Sequence, residues 1–379
     1  MQRPIHHGLP ILLTAILVSL ARPGSAADMF VYFGSHGKGS NYGFSLAHFD
    51  TETGKLTTPV FLQEAVAPAY FIISPNQKHL YTCNSAPGSS VSAYAIDRAT
   101  ARLTLLNQKP SNGGDPSYVS MDATGRYLMI ANFQGGSIAV FALQSDGSIG
   151  ERTAFVQHTG TNVNPDLRIQ AHAHSIRVDP GNRFVLVADL GLDKLFIYRL
   201  DSTTGALQPN APPFASVATG SGPRHTAFLP NGRDVYLINQ MASTIIRFGW
   251  DKATGALTQF ETVSTLPEGF KGQNDAAEIL VHLGGKFIYA TNRGYNTVAV
   301  FSVEGETGRL KLIQHISTQG KTPRNCEFDP TGRWLLVTNQ DSNNAVVFSI
   351  DPNTGRLTQA GEPIKVLSPF CERFLPVEN

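Results

Sequence analysis

The sequence predicts an all-β fold: a seven-bladed β-propeller of four-stranded antiparallel blades, its ring closed by the C-terminal strand. Three observations carry this. A strand motif recurs six times and a hairpin-turn motif seven times along the 379 residues. The two chain ends also supply complementary parts of one incomplete repeat.

The strand motif is SPNQKHLYTCN (74–84), DATGRYLMIAN (122–132), DPGNRFVLVAD (179–189), LPNGRDVYLIN (229–239), HLGGKFIYATN (282–292) and DPTGRWLLVTN (329–339). Each copy is a turn, a basic residue, a run of strand formers, then Asn or Asp. Such a run bounded by turn residues reads as a buried strand. The basic residues are Lys78, Arg126, Arg183, Arg233, Lys286 and Arg333, spaced 47–57 residues apart.

The turn motif lies between them: DTETGKL (50–56), DRATARL (97–103), DSTTGAL (201–207), DKATGAL (251–257), EGETGRL (304–310), DPNTGRL (351–357), and a degenerate SDGSI (145–149). The acidic residue bonds back to the backbone, and glycine takes a conformation that a Cβ disfavours. Each period thus holds four strands in roughly 50 residues, the signature of a propeller blade.

The ends complete the count. MFVYFGS, from Met29, matches the second strand of a repeat whose first strand is missing. PFCERFLP (369–376) aligns with PRNCEFDP (323–330) and looks like that first strand. Pairing of Phe370–Leu375 beside Met29–Gly34 is therefore expected, which removes an exposed sheet edge. One long insertion, from about Val156 to Ala171, accounts for the longest interval. Loops of that length are usually functional or disordered.

Residues 1–27 read as a secretory signal peptide: Arg3, an apolar run from Leu9 to Leu20, and small residues at Ser25-Ala26-Ala27. Residues 28–379 are then one domain, exported to the periplasm or secreted. No later segment is long and apolar enough for a helical span, so no membrane association is expected after cleavage. The formal net charge is +1 with 16% charged residues and no basic stripe, so nucleic acid is not an expected partner. The expected state is a monomer. Cys83, Cys326 and Cys371 cannot form a disulfide framework. Inner strands diverge around a ring, so buried free thiols are expected.

In a propeller the first strand of each blade lines the central channel. Nine residues before each basic marker stand Ala69, Ser117, His174, Arg224, Ala277 and Arg324, with Phe370 as the seventh from the terminal alignment. One step further are Tyr70, Tyr118, Ser175, His225, Glu278, Asn325 and Cys371. His174, Arg224, Glu278 and Arg324 thus come from four successive blades and are expected to converge on one channel mouth. Glu278 is one step out of register, so it needs a bulge or points between blades. His172 precedes His174 by two residues, which on a regular strand puts both on one face. His225, Asn325, His172 and Arg168 are expected around the substrate, and the insertion brings His158 or Arg168 near.

Arg-Glu pairs can simply tie blades together. Two arginines, a glutamate and a histidine at one level favour function, because buried charges are rare unless paired or used. Arginine suits an anionic or carbonyl-rich ligand. A neutral histidine is a general base, and arginine stabilises a developing oxyanion. That set suits attack of water on a lactone or activated ester. There is no G-x-S-x-G elbow, HExxH, paired CxxC, Rossmann or P-loop motif. HAH offers two imidazoles without a clear third ligand, so no metal and no cofactor are expected.

HAHSIRVDP (172–180), GSGPRHTAFLPNG (220–232), AAEILVHLGGKFIYATNRG (276–294) and TPRNCEFDPTGRWLLVTNQ (322–340) resemble the seven-bladed propeller lactonases. YFGSHGKGSNYGF (32–44) resembles the start of that domain. This family includes 6-phosphogluconolactonases and carboxy-cis,cis-muconate cyclases. The resemblance implies a lactone substrate and a site at His174, Arg224, Glu278 and Arg324, with no established metal. Ala171 departs from a Pro-His-Ala-His run, and a signal peptide departs from a cytosolic sugar-phosphate enzyme. Two other functions stay open at this point: a non-catalytic propeller binding a ligand or partner, and a muconate-type cyclase.

Overall fold

The computed structural model describes residues 28–37, 42–85, 88–160 and 170–378. Residues 1–27, read above as a signal peptide, and Arg168 lie outside these residues. The described residues form 28 strands, β1–β28 in chain order, in seven four-stranded sheets. All neighbouring strands pair antiparallel, so the predicted all-β propeller is the observed fold.

The channel-lining first strands are β28 (Pro369–Pro376), β4 (Pro68–Ile73), β8 (Pro116–Met121), β12 (Ala173–Val178), β16 (Pro223–Phe228), β20 (Asp275–Val281) and β24 (Pro323–Phe328). Each contacts the next around the ring. The C-terminal β28 joins the sheet of β1 (Asp28–Ser35), with Phe30 opposite Leu375 and Gly34 opposite Cys371. The ring therefore closes by pairing the two chain ends, as the terminal alignment predicts.

The second strands pack on both faces, which explains their continuous apolar runs. β9 (Tyr127–Asn132), β13 (Phe184–Asp189) and β17 (Asp234–Asn239) are buried at every position. The outer strands are half-buried or exposed along most of their length.

The two sequence markers turn out to be halves of one contact between blades. An aromatic residue one or three places after the basic marker reaches the turn of the next blade. Tyr81 donates to the carbonyl of Gly147, Tyr127 to Thr203, Tyr236 to Gly308, and Tyr289 to Gly355. Tyr32 does the same to Ala101, and the Trp334 indole to Thr51. Positions one and three places along share a strand face, so both spacings serve. Arg126, Arg183, Arg233 and Arg333 add guanidinium bonds to carbonyls of the same turns. Within each turn the acidic residue fixes the backbone: the Asp351 carboxylate accepts the amides of Asn353 and Thr354 at 2.8 and 2.9 Å. Gly355 follows with φ +69°, a conformation that favours glycine.

Cys83, Cys326 and Cys371 are buried free thiols. Burial holds the Cys371 thiol up at about 12.

Candidate active site

A β-bulge sits near the start of every first strand. Pro68 pairs with Asn84 and Tyr70 with Cys83, leaving Ala69 unpaired. The same two-against-one step leaves out Ser117, His174, Arg224, Arg324 and Phe370. On β20 the step spans Ala277 and Glu278. The six positions found by counting back from the markers, and Phe370 from the terminal alignment, are thus the bulge residues. A bulge breaks the strict alternation of side chains, so two consecutive residues reach toward the channel. That is how Arg224 and His225 both lie near the axis, and how Glu278 joins them one step out of register.

Five of these bulge residues, Ala69, Ser117, His174, Arg324 and Phe370, help wall a chamber of about 290 Å³ at one mouth. His174 and Arg324 line it, with His36, Asp115, Phe133 and Arg293. The His174 ring is buried and its Nδ1 has no hydrogen-bond partner. Phe133 packs edge-on against it at 5.4 Å between centroids. Burial, then the charges of Arg224, His225, Arg324 and Arg293, hold its pKa well below the ordinary histidine range. This imidazole is neutral at pH 7.

Arg324 stacks over the Phe370 ring at 4.2 Å and makes no ion pair among the described residues. Burial, then the charge of Arg293, lowers its pKa to about 9. Arg293 closes another side of the chamber. Its Nη2 donates to the carbonyl of Ala276, while its buried Nε has no partner. The chamber therefore combines a neutral imidazole with two guanidinium groups that no carboxylate neutralises by direct contact.

Arg224, His225 and Glu278 form the layer beneath. The Arg224 Nη1 donates to the carbonyl of Ala277 at 2.5 Å, and its Nε is unpartnered. His225 Nδ1 lies 2.8 Å from the Glu278 carboxylate, and both side chains are buried. Neutral His225 donates this bond; burial pushes the Glu278 carboxyl up and the His225 imidazole far down. The His225 ring meets His174 edge-on at 5.2 Å. It also closes the channel with Tyr118 and Tyr70, at 4.9 and 5.9 Å. Of the four residues expected at the mouth, His174 and Arg324 line it, whereas Arg224 and Glu278 support it from below.

The other expected site residues are placed differently. His172 lies outside the chamber wall: its ring stacks on Phe133 and its Nδ1 bonds the Phe133 carbonyl at 2.9 Å. The bulge at His174 breaks the alternation that would have given the two histidines one face. Asn325 lines the opposite side of the aromatic layer. His158 is buried against Asp189, at 2.6 Å, and Tyr198, at 3.0 Å, away from the chamber. Arg293 and His36 escape the counting because they end second strands, Arg293 in β21 (Phe287–Arg293) and His36 after β1. The TNRG stretch at 291–294 carried Arg293, but no offset rule on first strands reaches it.

Among the described residues, no group of three His, Cys, Asp or Glu side chains is arranged as a metal site. No helix of the described residues is long and apolar enough to cross a membrane.

The sequence pattern of the family described as "Lactonase, 7-bladed beta-propeller" matches residues 30–374. A 6-phosphogluconolactonase of Bacillus subtilis is 33% identical over 345 residues, 91% of this chain and 97% of that protein. A 6-phosphogluconolactonase of Formosa agariphila is 30% identical over 299 residues, 77% of this chain and 83% of that protein. The structure of a periplasmic gluconolactonase of Pseudomonas aeruginosa superposes with a TM-score of 0.87 at 29% identity, covering 93% of this chain and all of that one.

Proposed function

This chain belongs to the seven-bladed β-propeller lactonase family, and from that premise we propose that it hydrolyses a sugar-acid lactone at the His174–Arg324 chamber. The observation that carries the reading is a buried neutral imidazole facing the same small chamber as guanidinium groups left without carboxylate partners. His174 takes a proton from water as the water oxygen attacks the lactone carbonyl. Negative charge builds on the carbonyl oxygen, and Arg324, seconded by Arg293 on the same wall, donates to it. The carbon–oxygen ring bond then breaks, and the ring oxygen recovers the proton from His174. The product is an open-chain acid, which ionises and releases one proton to solvent. General-base catalysis contributes typically about 10²–10⁴-fold, and one good oxyanion donor roughly 10²–10³-fold. Glu278 is a positioning residue: it fixes the His225 tautomer, and His225 packs on His174.

The reading extends to location. Residues 1–27 direct export, and the domain works as a monomer on a small lactone, without a cofactor. A structural relative that is a periplasmic gluconolactonase supports the location, and an exported enzyme meets lactones without a phosphate more readily than sugar phosphates. A pH-stat panel of aldonolactones, each with and without a 6-phosphate, tests the reading through the released proton. Hydrolysis of at least one member well above its spontaneous rate is expected. No acceleration across the panel overturns it in favour of a binding propeller.

A further inference from the structure

The channel does not end at the aromatic layer. Beyond Tyr70, Tyr118 and His225 it opens into a second chamber of about 550 Å³ at the other mouth. Its walls come from later positions on the same first strands, and its polar groups include Arg177, Asn325, Glu327, Arg373, the Glu278 carboxylate, Ser120 and Asp122, the last held by the amides of Thr124, Arg126 and Tyr127. Arg373 is committed to this wall: it pairs with Glu327 at 2.9 Å and stacks over Tyr70 at 4.8 Å. Arg177 is not. One guanidinium nitrogen donates to the Tyr118 hydroxyl at 2.9 Å, and the side chain makes no ion pair among the described residues. The residues lining the same chamber also carry two buried acceptors with no partner, Glu278 Oε2 and Asn325 Oδ1.

A guanidinium with spare donors takes a carboxylate. Orphaned acceptors take hydroxyl groups, because leaving them unpaired is costly. One small molecule carrying both is a polyhydroxy acid. We propose that this second chamber binds a small polyhydroxy carboxylate, the chemical class of the product, and that its occupancy slows the reaction at the other mouth. The ligand's carboxylate sits on Arg177 and its hydroxyls on Asn325 and Glu278. The link between the mouths is Glu278, whose other oxygen holds His225 against His174. A hydroxyl drawn to Oε2 competes for the carboxylate that orients His225. The inhibitory part rests on the lactone hydrolysis proposed above; the binding part does not.

Isothermal titration of the full exported domain with sodium gluconate tests the site, using wild type, Arg177→Met and Arg324→Met. Binding that survives Arg324→Met and weakens about 10- to 100-fold in Arg177→Met is expected, the scale of a lost charged hydrogen bond. Wild-type affinity in a folded Arg177→Met protein, or no binding to wild type at tens of millimolar, roughly the weakest affinity worth a regulatory role, overturns the proposal. Should Arg177→Met fail to fold, Arg177→Lys keeps the charge and loses the planar fork, and the same weakening is expected. Steady-state assays with added gluconate read the coupling. A fall in kcat that excess lactone does not relieve is expected in wild type and absent in Arg177→Met; purely competitive inhibition overturns the coupling. Calorimetry needs no turnover, so failure of the hydrolase reading and failure of this site give different results.

Discussion

Two rings of contacts run around this propeller, one at the outer turns and one at the channel. At the turns, Tyr236 bonds Gly308 and Tyr289 bonds Gly355 in the same way, with near-identical residues in successive blades. At the bulges the backbone step also recurs, but the residues are Ala69, Ser117, His174, Arg224, Ala277, Arg324 and Phe370. Repeated geometry with repeated chemistry is what a structural staple requires, because each blade meets its neighbour in the same way. Repeated geometry with divergent chemistry is what the proposed site requires, because one asymmetric molecule would be held there by a pseudo-symmetric ring. On the proposed function, the contrast assigns stability to one ring and the site to the other.

Four substitutions sharpen or break it. The largest effect is expected from His174→Ala, which should lower kcat by roughly 10²–10⁴-fold, as for a general base, with the melting temperature nearly unchanged. Both must be read on the same samples; wild-type turnover in a folded His174→Ala protein removes His174 from the mechanism.

Arg324→Met comes next. It should raise KM about tenfold or more through loss of a carbonyl or anion donor. It should also move the acid limb of kcat/KM. The active form carries neutral His174, whose pKa is held below 6.5 first by burial and then by neighbouring charges that include Arg324. The wild-type rate should therefore hold down to below pH 6.5 and fall only in more acid solution. Removing the Arg324 charge lets the His174 pKa rise, so the limb should shift to higher pH. An unmoved limb would separate the two residues.

At the turns the opposite pattern is expected. Tyr289→Phe removes a buried bond to Gly355 and leaves that carbonyl unpaired, costing about 1–2 kcal/mol of stability without changing kcat per folded molecule. Denaturant titration beside the assay checks both halves. The smallest effect is Ala101→Gly. Ala101 fills the glycine position of its turn at φ +55°. Relief of the left-handed conformation exceeds the added chain entropy and the lost methyl, so a gain of a few tenths to about 1 kcal/mol is expected. A loss of stability would show that the Ala101 methyl packing outweighs the backbone strain.

The same contrast explains which parts of the molecule are legible in the sequence. Blade number, strand order and ring closure follow from local patterns: apolar runs, Asp-x-x-Thr-Gly turns and the match of PFCERFLP to PRNCEFDP. These are properties of neighbours in the chain. The level of His174, Arg224 and Arg324 also follows, because a repeat converts a sequence offset into a height. What no offset contains is the direction of each side chain at that height. The bulge turned His172 onto Phe133, lowered Glu278 and His225 into a supporting layer, and left Asn325 in the far chamber. Arg293 reached the mouth from a second strand. A single extra residue reverses the facing of everything beside it, and contacts between blades decide where a long side chain comes to rest. The sequence by itself determined the ring and the height of its candidate site residues; only the tertiary structure decided which of them share a chamber, because that depends on one-residue bulges and cross-blade packing that leave no periodic trace.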